Sequence, residues 1–139
     1  MILGIGNDII KIERVKKASR SAAFMQRVYT ALEQEQFQHI PASLAGNFAV
    51  KEAVAKMLGT GFRGFGPADI EVLRDEQGCP FVKLYNKALE RSDELAIRRI
   101  WVTISHEKEF ALATAIGEGG PDCGGERKAG GFTQTSVLP

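Results

Sequence analysis

The chain has 139 residues, of which 44% are hydrophobic and 25% charged, with a formal net charge of +1. These are the proportions of one globular domain, and they exclude a wholly disordered chain, a collagen-like fibre and a disulfide-built scaffold. No apolar run approaches the roughly 20 residues of a membrane span, and the overall charge balance argues against indiscriminate nucleic-acid binding.

The opening stretch MILGIGNDII has no basic segment ahead of its apolar residues, so it reads as part of the fold and not as a secretory signal. A cytoplasmic location is expected. Residues 2–9 predict a buried strand, and Gly4 and Gly6 leave one of its faces bare for another backbone or a ligand. From about residue 10 to 22 the period turns helical. Ile12, Val15, Ser19 and Ala22 form one stripe, while Arg14, Lys17 and Arg20 point the other way. Between residues 11 and 28, Lys11, Arg14, Lys16, Lys17, Arg20 and Arg27 face a single acid, Glu13.

Thr30 and Glu33 predict a capping box for a short helix ending at Phe37. Pro41 and Ser43 open a longer helix to Leu58, with Gly59 as its terminator. Residues 59–67, GTGFRGFGP, form a glycine-rich loop that lacks the Lys-Ser/Thr ending of a Walker loop. Its amides are suited to cradling phosphate, but a plain turn is the default reading of the composition. Strands at 70–74 and 81–84, around Asp75-Glu76-Gln77-Gly78, predict an antiparallel hairpin. A helix follows over 86–96. Strands at 100–104 and 110–116 flank the turn Ser105-His106-Glu107-Lys108. The predicted class is α+β with a mainly antiparallel sheet, a single domain over residues 1–118. Residues 119–139 hold six of the fifteen glycines and two of the five prolines, without hydrophobic period, and predict a flexible tail. Cys79 and Cys123 lie far apart without nearby histidines and predict two free thiols.

Three places set polar groups against an apolar background. Asp8 taken alone suits a helix N-cap; as a strand residue it would be a rigid carboxylate facing a cleft. Glu52 and Lys56 share a helix face. They read either as an exposed ion pair or, because the helix is otherwise apolar and alanine-rich, as the border of a cleft. Ser105-His106 is no triad, since adjacency in sequence does not aim the imidazole at the hydroxyl. Two carboxylates, one on a strand and one on a helix, suit a hard cation such as Mg²⁺ completed by substrate phosphates, with a lysine offsetting their charge. The combination points to metal-assisted phosphoryl chemistry.

GIGNDIIKIER resembles the start of the holo-acyl-carrier-protein synthases, the small bacterial 4′-phosphopantetheinyl transferases. NFAVKEAVAKMLGTG resembles their central motif, and VTISHEKEFALA resembles their strand ending in Ser-His. The three occur in family order over residues 1–117. The resemblance implies a 4′-phosphopantetheinyl transferase-like fold. It also implies a reaction in fatty acid biosynthesis: transfer of 4′-phosphopantetheine from coenzyme A to a serine of apo acyl carrier protein, releasing adenosine 3′,5′-bisphosphate. Asp8 and Glu52 match the family's Mg²⁺-binding carboxylates, with Glu52 and Lys56 as the catalytic pair. The coenzyme A site would comprise Lys56, Gly59, Thr60, Gly61, Arg63, Ser105 and His106. Arg14, Lys17, Arg20 and Arg27 would meet the carrier protein. A homotrimer with active sites between subunits is implied, with neither nucleic acid nor membrane as partner. Glu52 or a water takes the serine proton; a carboxylate holding a metal is a weak base, which favours the water. Asn47 stands where the family commonly has Arg or Lys, removing one phosphate contact that Arg63 would replace. Val50 stands for a smaller residue and affects packing.

Two rival readings remain on the residues alone. A Mg²⁺-dependent phosphohydrolase built on Asp8 and Glu52 calls for further carboxylates. A non-catalytic basic module on the helix after residue 10 leaves the Glu52/Lys56 pair unexplained.

Overall fold

The computed structural model describes residues 1–120 and 130–131. A long strand, β1 (Ile2–Lys11), leads into three short helices, α1 (Ile12–Ala18), α2 (Ala22–Val28) and α3 (Ala31–Phe37). The central helix α4 (Pro41–Met57) follows. A 3₁₀ turn (Pro67–Asp69) precedes the hairpin β2 (Ile70–Arg74) and β3 (Pro80–Leu84), then α5 (Asn86–Glu94) and a second hairpin, β4 (Arg99–His106) and β5 (Phe110–Glu118). The main sheet runs β1-β5-β4, all antiparallel, and β2-β3 stands apart as a two-stranded sheet. The α+β class with a mainly antiparallel sheet is the observed architecture. Most of residues 119–139 lie outside the described residues. Of that segment, Gly119 donates to the Met1 carbonyl, and Gly130–Gly131 form a two-residue strand, β6, parallel to β4 at Trp101 and Val102. Cys123 also falls outside the described residues.

Helix α4 is the spine of the domain. It lies across β1 and β5, and its Ala49, Val50, Ala53, Val54 and Ala55 are fully buried. Small residues dominate because the strand beneath comes so close. A Cβ on Gly4 would stand 2.5 Å from the Met57 carbonyl oxygen, and one on Gly6 would stand 2.8 Å from the Met57 amide nitrogen. Only glycine permits that separation. The bare face expected of β1 is therefore the seat of α4.

Several local expectations change. β1 was expected to be a buried strand, but only its even positions face α4. On the other side Ile5 and Ile9 are 66% and 60% exposed. Because directly paired residues share a face, Ile5 with Ile116 and Ile9 with Leu112 extend this apolar surface across β5. The helix expected over residues 10–22 splits in two. Pairing with β5 carries β1 on to Lys11, the Ser19 hydroxyl donates to the Lys16 carbonyl as α1 ends, and Ser21 caps α2 through the Phe24 amide. Arg20 thus falls in the turn after α1 and not on its face. Asp8 is no helix cap, since it sits three residues inside β1 and α1 follows Lys11. Ser105 and His106 belong to β4, paired with Leu112 and Ala111. The turn is pushed on to Glu107–Glu109, where the Glu107 carboxylate accepts from the Glu109 and Phe110 amides. The capping box at Thr30 and Glu33 forms as expected.

Candidate active site

Asp8 follows Gly4 and Gly6 on the same face of β1, so the helix that closes on the glycines also closes on the carboxylate. From α4, Lys56 reaches across. Its Nζ donates to Asp8 Oδ1 at 3.2 Å and to the Asn7 carbonyl at 2.9 Å. The lysine side chain is 53% exposed and that of Asp8 18%, so the pair lines an open cleft and is not core. Glu52, one turn back along α4, is half-buried and makes no hydrogen bond among the described residues. Burial pushes its carboxyl pKa up, the Asp8 charge pushes it further, and Lys56 opposes both. Two carboxylates remote in sequence therefore feel each other across the α4–β1 seam. Lys56 bonds to the strand and not to Glu52, so the simple ion pair within the helix is not the arrangement observed.

The remaining predicted residues distribute around this seam. Gly59 and Gly61 adopt left-handed backbone, with φ of 78° and 58°. Their amides return to the Lys56 and Ala55 carbonyls, so these two N–H groups cap the helix and are not presented to a phosphate. The Thr60 hydroxyl donates to the Gly61 carbonyl, and Arg63 is exposed. His106 lies in one row with Ala111 and Ile10, and Asp8 in the next row with Ala113 and Ile104. Two inter-strand steps and one two-residue repeat separate His106 from Asp8, about 12 Å. They share the face but not a contact. Ser105 is in the row of Leu112 and Ile9, on the other face. Within one chain the structure therefore unites Asp8, Glu52 and Lys56 but leaves Ser105 and His106 apart from them.

Arg14 and Lys17 are exposed on α1 and line a groove of about 500 Å³ with Lys11 and Lys108. The second wall is held by the Ile12 amide, which donates to the Glu109 carbonyl at 2.8 Å. Arg27 instead lies over the Phe24 ring, 5.9 Å from its centroid. An apolar groove between β3, α5 and β4, of about 460 Å³, contains none of the predicted site residues.

Sequence reasoning missed a buried polar cluster on the hidden side of α4. Glu33, Asn47 and Lys51 are fully buried. Lys51 Nζ donates to Glu33 Oε1 at 2.6 Å. Burial pushes the Glu33 pKa up and the Lys51 pKa down, and their mutual contact opposes both shifts. Asn47 belongs to this cluster and not to a ligand surface, donating to Glu33 Oε2 at 3.0 Å. The available signal was the capping box, which fixes Glu33, together with the i,i+4 spacing of Asn47 and Lys51.

A carboxylate pair with one half-exposed lysine carries excess negative charge, and its two carboxylates offer only hard oxygen donors. That fits a divalent cation of the Mg²⁺ kind, whose shell is completed by water and phosphate. Among the described residues no group of three His, Cys, Asp or Glu side chains converges, and no helix is long and apolar enough to cross a membrane.

Residues 4–115 match the family model of the 4′-phosphopantetheinyl transferase superfamily. The holo-[acyl-carrier-protein] synthase of Lachnoclostridium phytofermentans is 48% identical over 118 residues, 85% of this chain and 97% of that protein. Among solved structures, the holo-[acyl-carrier-protein] synthase of Neisseria meningitidis superposes with a TM-score of 0.75 at 35% identity. The match covers 85% of this chain and 99% of that one. The holo-(acyl-carrier-protein) synthase of Bacillus anthracis, solved in complex with coenzyme A (3′,5′-ADP), gives a TM-score of 0.72 at 33% identity. It covers 86% of this chain and 99% of that one.

Proposed function

The chain belongs to the 4′-phosphopantetheinyl transferase superfamily, and on that premise we propose that Asp8, Glu52 and Lys56 carry its reaction. The chain is a transferase that moves 4′-phosphopantetheine from coenzyme A to a serine of apo acyl carrier protein. The observation that supports the residue roles is the meeting of Asp8, Glu52 and Lys56 where α4 crosses the glycines of β1.

Asp8 and Glu52 would hold Mg²⁺, which supplies charge neutralisation of the pyrophosphate and polarisation of the phosphorus under attack. Lys56, on a flexible half-exposed stem, offsets charge developing on the bridging oxygen. The serine oxygen forms the new P–O bond as the bond to adenosine 3′,5′-bisphosphate breaks. The serine proton passes to a water hydrogen-bonded at Glu52. Residues 1–118 form the catalytic domain, and Thr60, Arg63, Ser105 and His106 contribute to the coenzyme A site, with Gly59 and Gly61 contributing only the left-handed turn that carries Thr60 and Arg63. Ser105 and His106 sit apart from the carboxylates of their own chain, which supports a site shared between copies. The apolar outer face of Ile5, Ile9, Leu112 and Ile116 supports a homotrimer built on that face, since a patch of this kind is rarely left to water. Arg14, Lys17, Arg20 and Arg27 face the acidic carrier protein, whose modification serves fatty acid biosynthesis in the cytoplasm.

Intact-mass measurement of apo acyl carrier protein, incubated with this protein, coenzyme A and Mg²⁺, tests the reading. The carrier should gain the mass of one phosphopantetheine arm, and Asp8→Ala or Glu52→Ala should abolish the gain without unfolding the protein. Consumption of coenzyme A with no carrier present would favour a phosphohydrolase instead. Near-normal activity of both variants at low Mg²⁺ would refute the metal assignment.

A further inference from the structure

The cluster on the hidden side of α4 takes no part in the chemistry described above, yet it is the most heavily hydrogen-bonded group of side chains in the helix. Lys51 Nζ donates to Glu33 Oε1, to the Pro67 carbonyl at 3.0 Å and to the Ile70 carbonyl at 2.5 Å. All three ammonium protons are thereby used. One turn earlier, Asn47 Nδ2 donates to Glu33 Oε2 and to the Val72 carbonyl at 2.9 Å. Glu33 is itself fixed, because its Oε1 accepts from the Thr30 amide. One stripe of α4 is therefore tied to α3, to the 3₁₀ turn and to β2.

We propose that Lys51, Asn47 and Glu33 are positioning residues: they set the rotation of α4 about its axis and so set where Glu52 stands across the seam from Asp8. This rests on the reading that Asp8 and Glu52 bind the cation. Apolar contact cannot supply the same angular control, because it is non-directional and because the rest of the buried face of α4 is largely alanine and valine. The required precision is high. A carboxylate about 6 Å from a helix axis moves roughly 2 Å when the helix turns by 20°, whereas functional groups need placement within about 0.5 Å. A buried ion pair is seldom retained for stability, since apolar replacement of both partners is often neutral, but it can fix one arrangement among several. Glu52 follows Lys51 directly in the chain, so the angle set at Lys51 is transmitted with little slack.

The experiment separates positioning from stability. Lys51→Met alone leaves the Glu33 carboxylate buried without its cation, so it is paired with Glu33→Gln, which keeps an acceptor for the Thr30 amide. The double variant leaves no buried charge but strands the Ile70 carbonyl and the amide introduced by Glu33→Gln, so it should fold with a lowered melting temperature, which the stability control below matches. Its Mn²⁺ dissociation constant, measured by electron paramagnetic resonance without coenzyme A or carrier, should rise about ten- to a hundredfold, as for other groups that orient metal ligands. Its half-saturating Mg²⁺ concentration in the transfer assay should rise in step. Val82→Ala, a cavity in the hairpin core, serves as the stability control and should lower the melting temperature without moving either constant. Should the double variant fail to fold, Asn47→Ala, which removes the second tie, should shift the Mn²⁺ constant in the same direction. Unchanged Mn²⁺ affinity in a folded variant would overturn the positioning role. Unchanged Mn²⁺ affinity in Glu52→Gln would remove the metal reading beneath it.

Discussion

The approach of α4 to β1 leaves no room for a side chain at residue 6, and Gly6→Ala tests it directly. A Cβ at residue 6 would stand 2.8 Å from the Met57 amide nitrogen and 3.0 Å from Lys56 Cβ, and nearer still to the Ala53 carbonyl oxygen. These are mostly backbone atoms of a helix, which cannot rotate aside. Helix and strand must therefore separate by about 1 Å, an overpacking cost of roughly 1–3 kcal/mol. For a body of this size that lowers the melting temperature by about 4 °C per kcal/mol. The functional loss should be larger than the structural one. The same displacement moves Glu52 and Lys56 away from Asp8, and a 1 Å misplacement of catalytic groups costs on the order of a hundredfold in rate. Gly66→Ala is the control, because nothing lies within 4 Å of a Cβ there and its φ of −107° suits alanine. It should stay within about 0.5 kcal/mol of wild type. Thermal melts and carrier-modification rates decide the matter. If Gly6→Ala melts and turns over like Gly66→Ala, the seam does not set the site.

In the metal-free protein, burial and Asp8 raise the Glu52 pKa above the ordinary 4.5. This group's contribution to stability therefore falls as pH rises through a window just above that value, while cation affinity rises as the proton leaves. Glu52→Gln should flatten the stability slope and abolish the Mg²⁺-induced rise in melting temperature; an unchanged Mg²⁺ effect refutes the role of Glu52. Arg14→Glu should raise KM for the carrier protein and leave coenzyme A binding nearly unchanged. Lys108→Glu, on the opposite wall of the same groove, should do likewise. Exposed charge is screened over a Debye length of about 8 Å at physiological salt. Both variants should accordingly show a flatter fall of kcat/KM with salt than wild type, and equal slopes would place the carrier elsewhere. Ile5→Lys puts a charge into the apolar outer face and should dissociate the proposed homotrimer, read by sedimentation; a wild-type protein sedimenting as an active monomer at micromolar concentration would refute that proposal.

What the sequence made legible follows from how local each signal is. The capping box at Thr30 and Glu33, the terminator at Gly59 and the hairpin turn after Arg74 depend on residues a few positions apart, and each formed where expected. The α1 boundary was misjudged because helical spacing begins at Ile10, whereas pairing of Lys11 with Phe110 holds the strand open. That pairing spans 99 positions of sequence and leaves no local trace. The same blindness placed Ser105 and His106 in a turn. Asp8, Glu52 and Lys56 were singled out by chemistry and resemblance, but their meeting depends on two glycines whose purpose is visible only once α4 is laid on them. The Glu33–Asn47–Lys51 cluster stayed hidden for a different reason. Charged and amide residues in an apolar helix read as surface, and only the three-element cage around Lys51 makes their burial tolerable.

The contact between Lys56 and Asp8 also bears on how the site works. Both partners are reachable by water, so the pair contributes about 0–1 kcal/mol at most. An interaction that weak holds the lysine near the strand without trapping it. On the role proposed for it, Lys56 would meet a pyrophosphate carrying two negative charges over its two phosphates, and the exchange would cost little because Asn7, whose carbonyl is its other partner, is exposed to water. Lys51, five residues earlier, shows the opposite design, with zero exposure and three fixed acceptors. One helix thus carries a lysine locked by burial and three acceptors and another left half-exposed with two, and the roles proposed for them follow that difference.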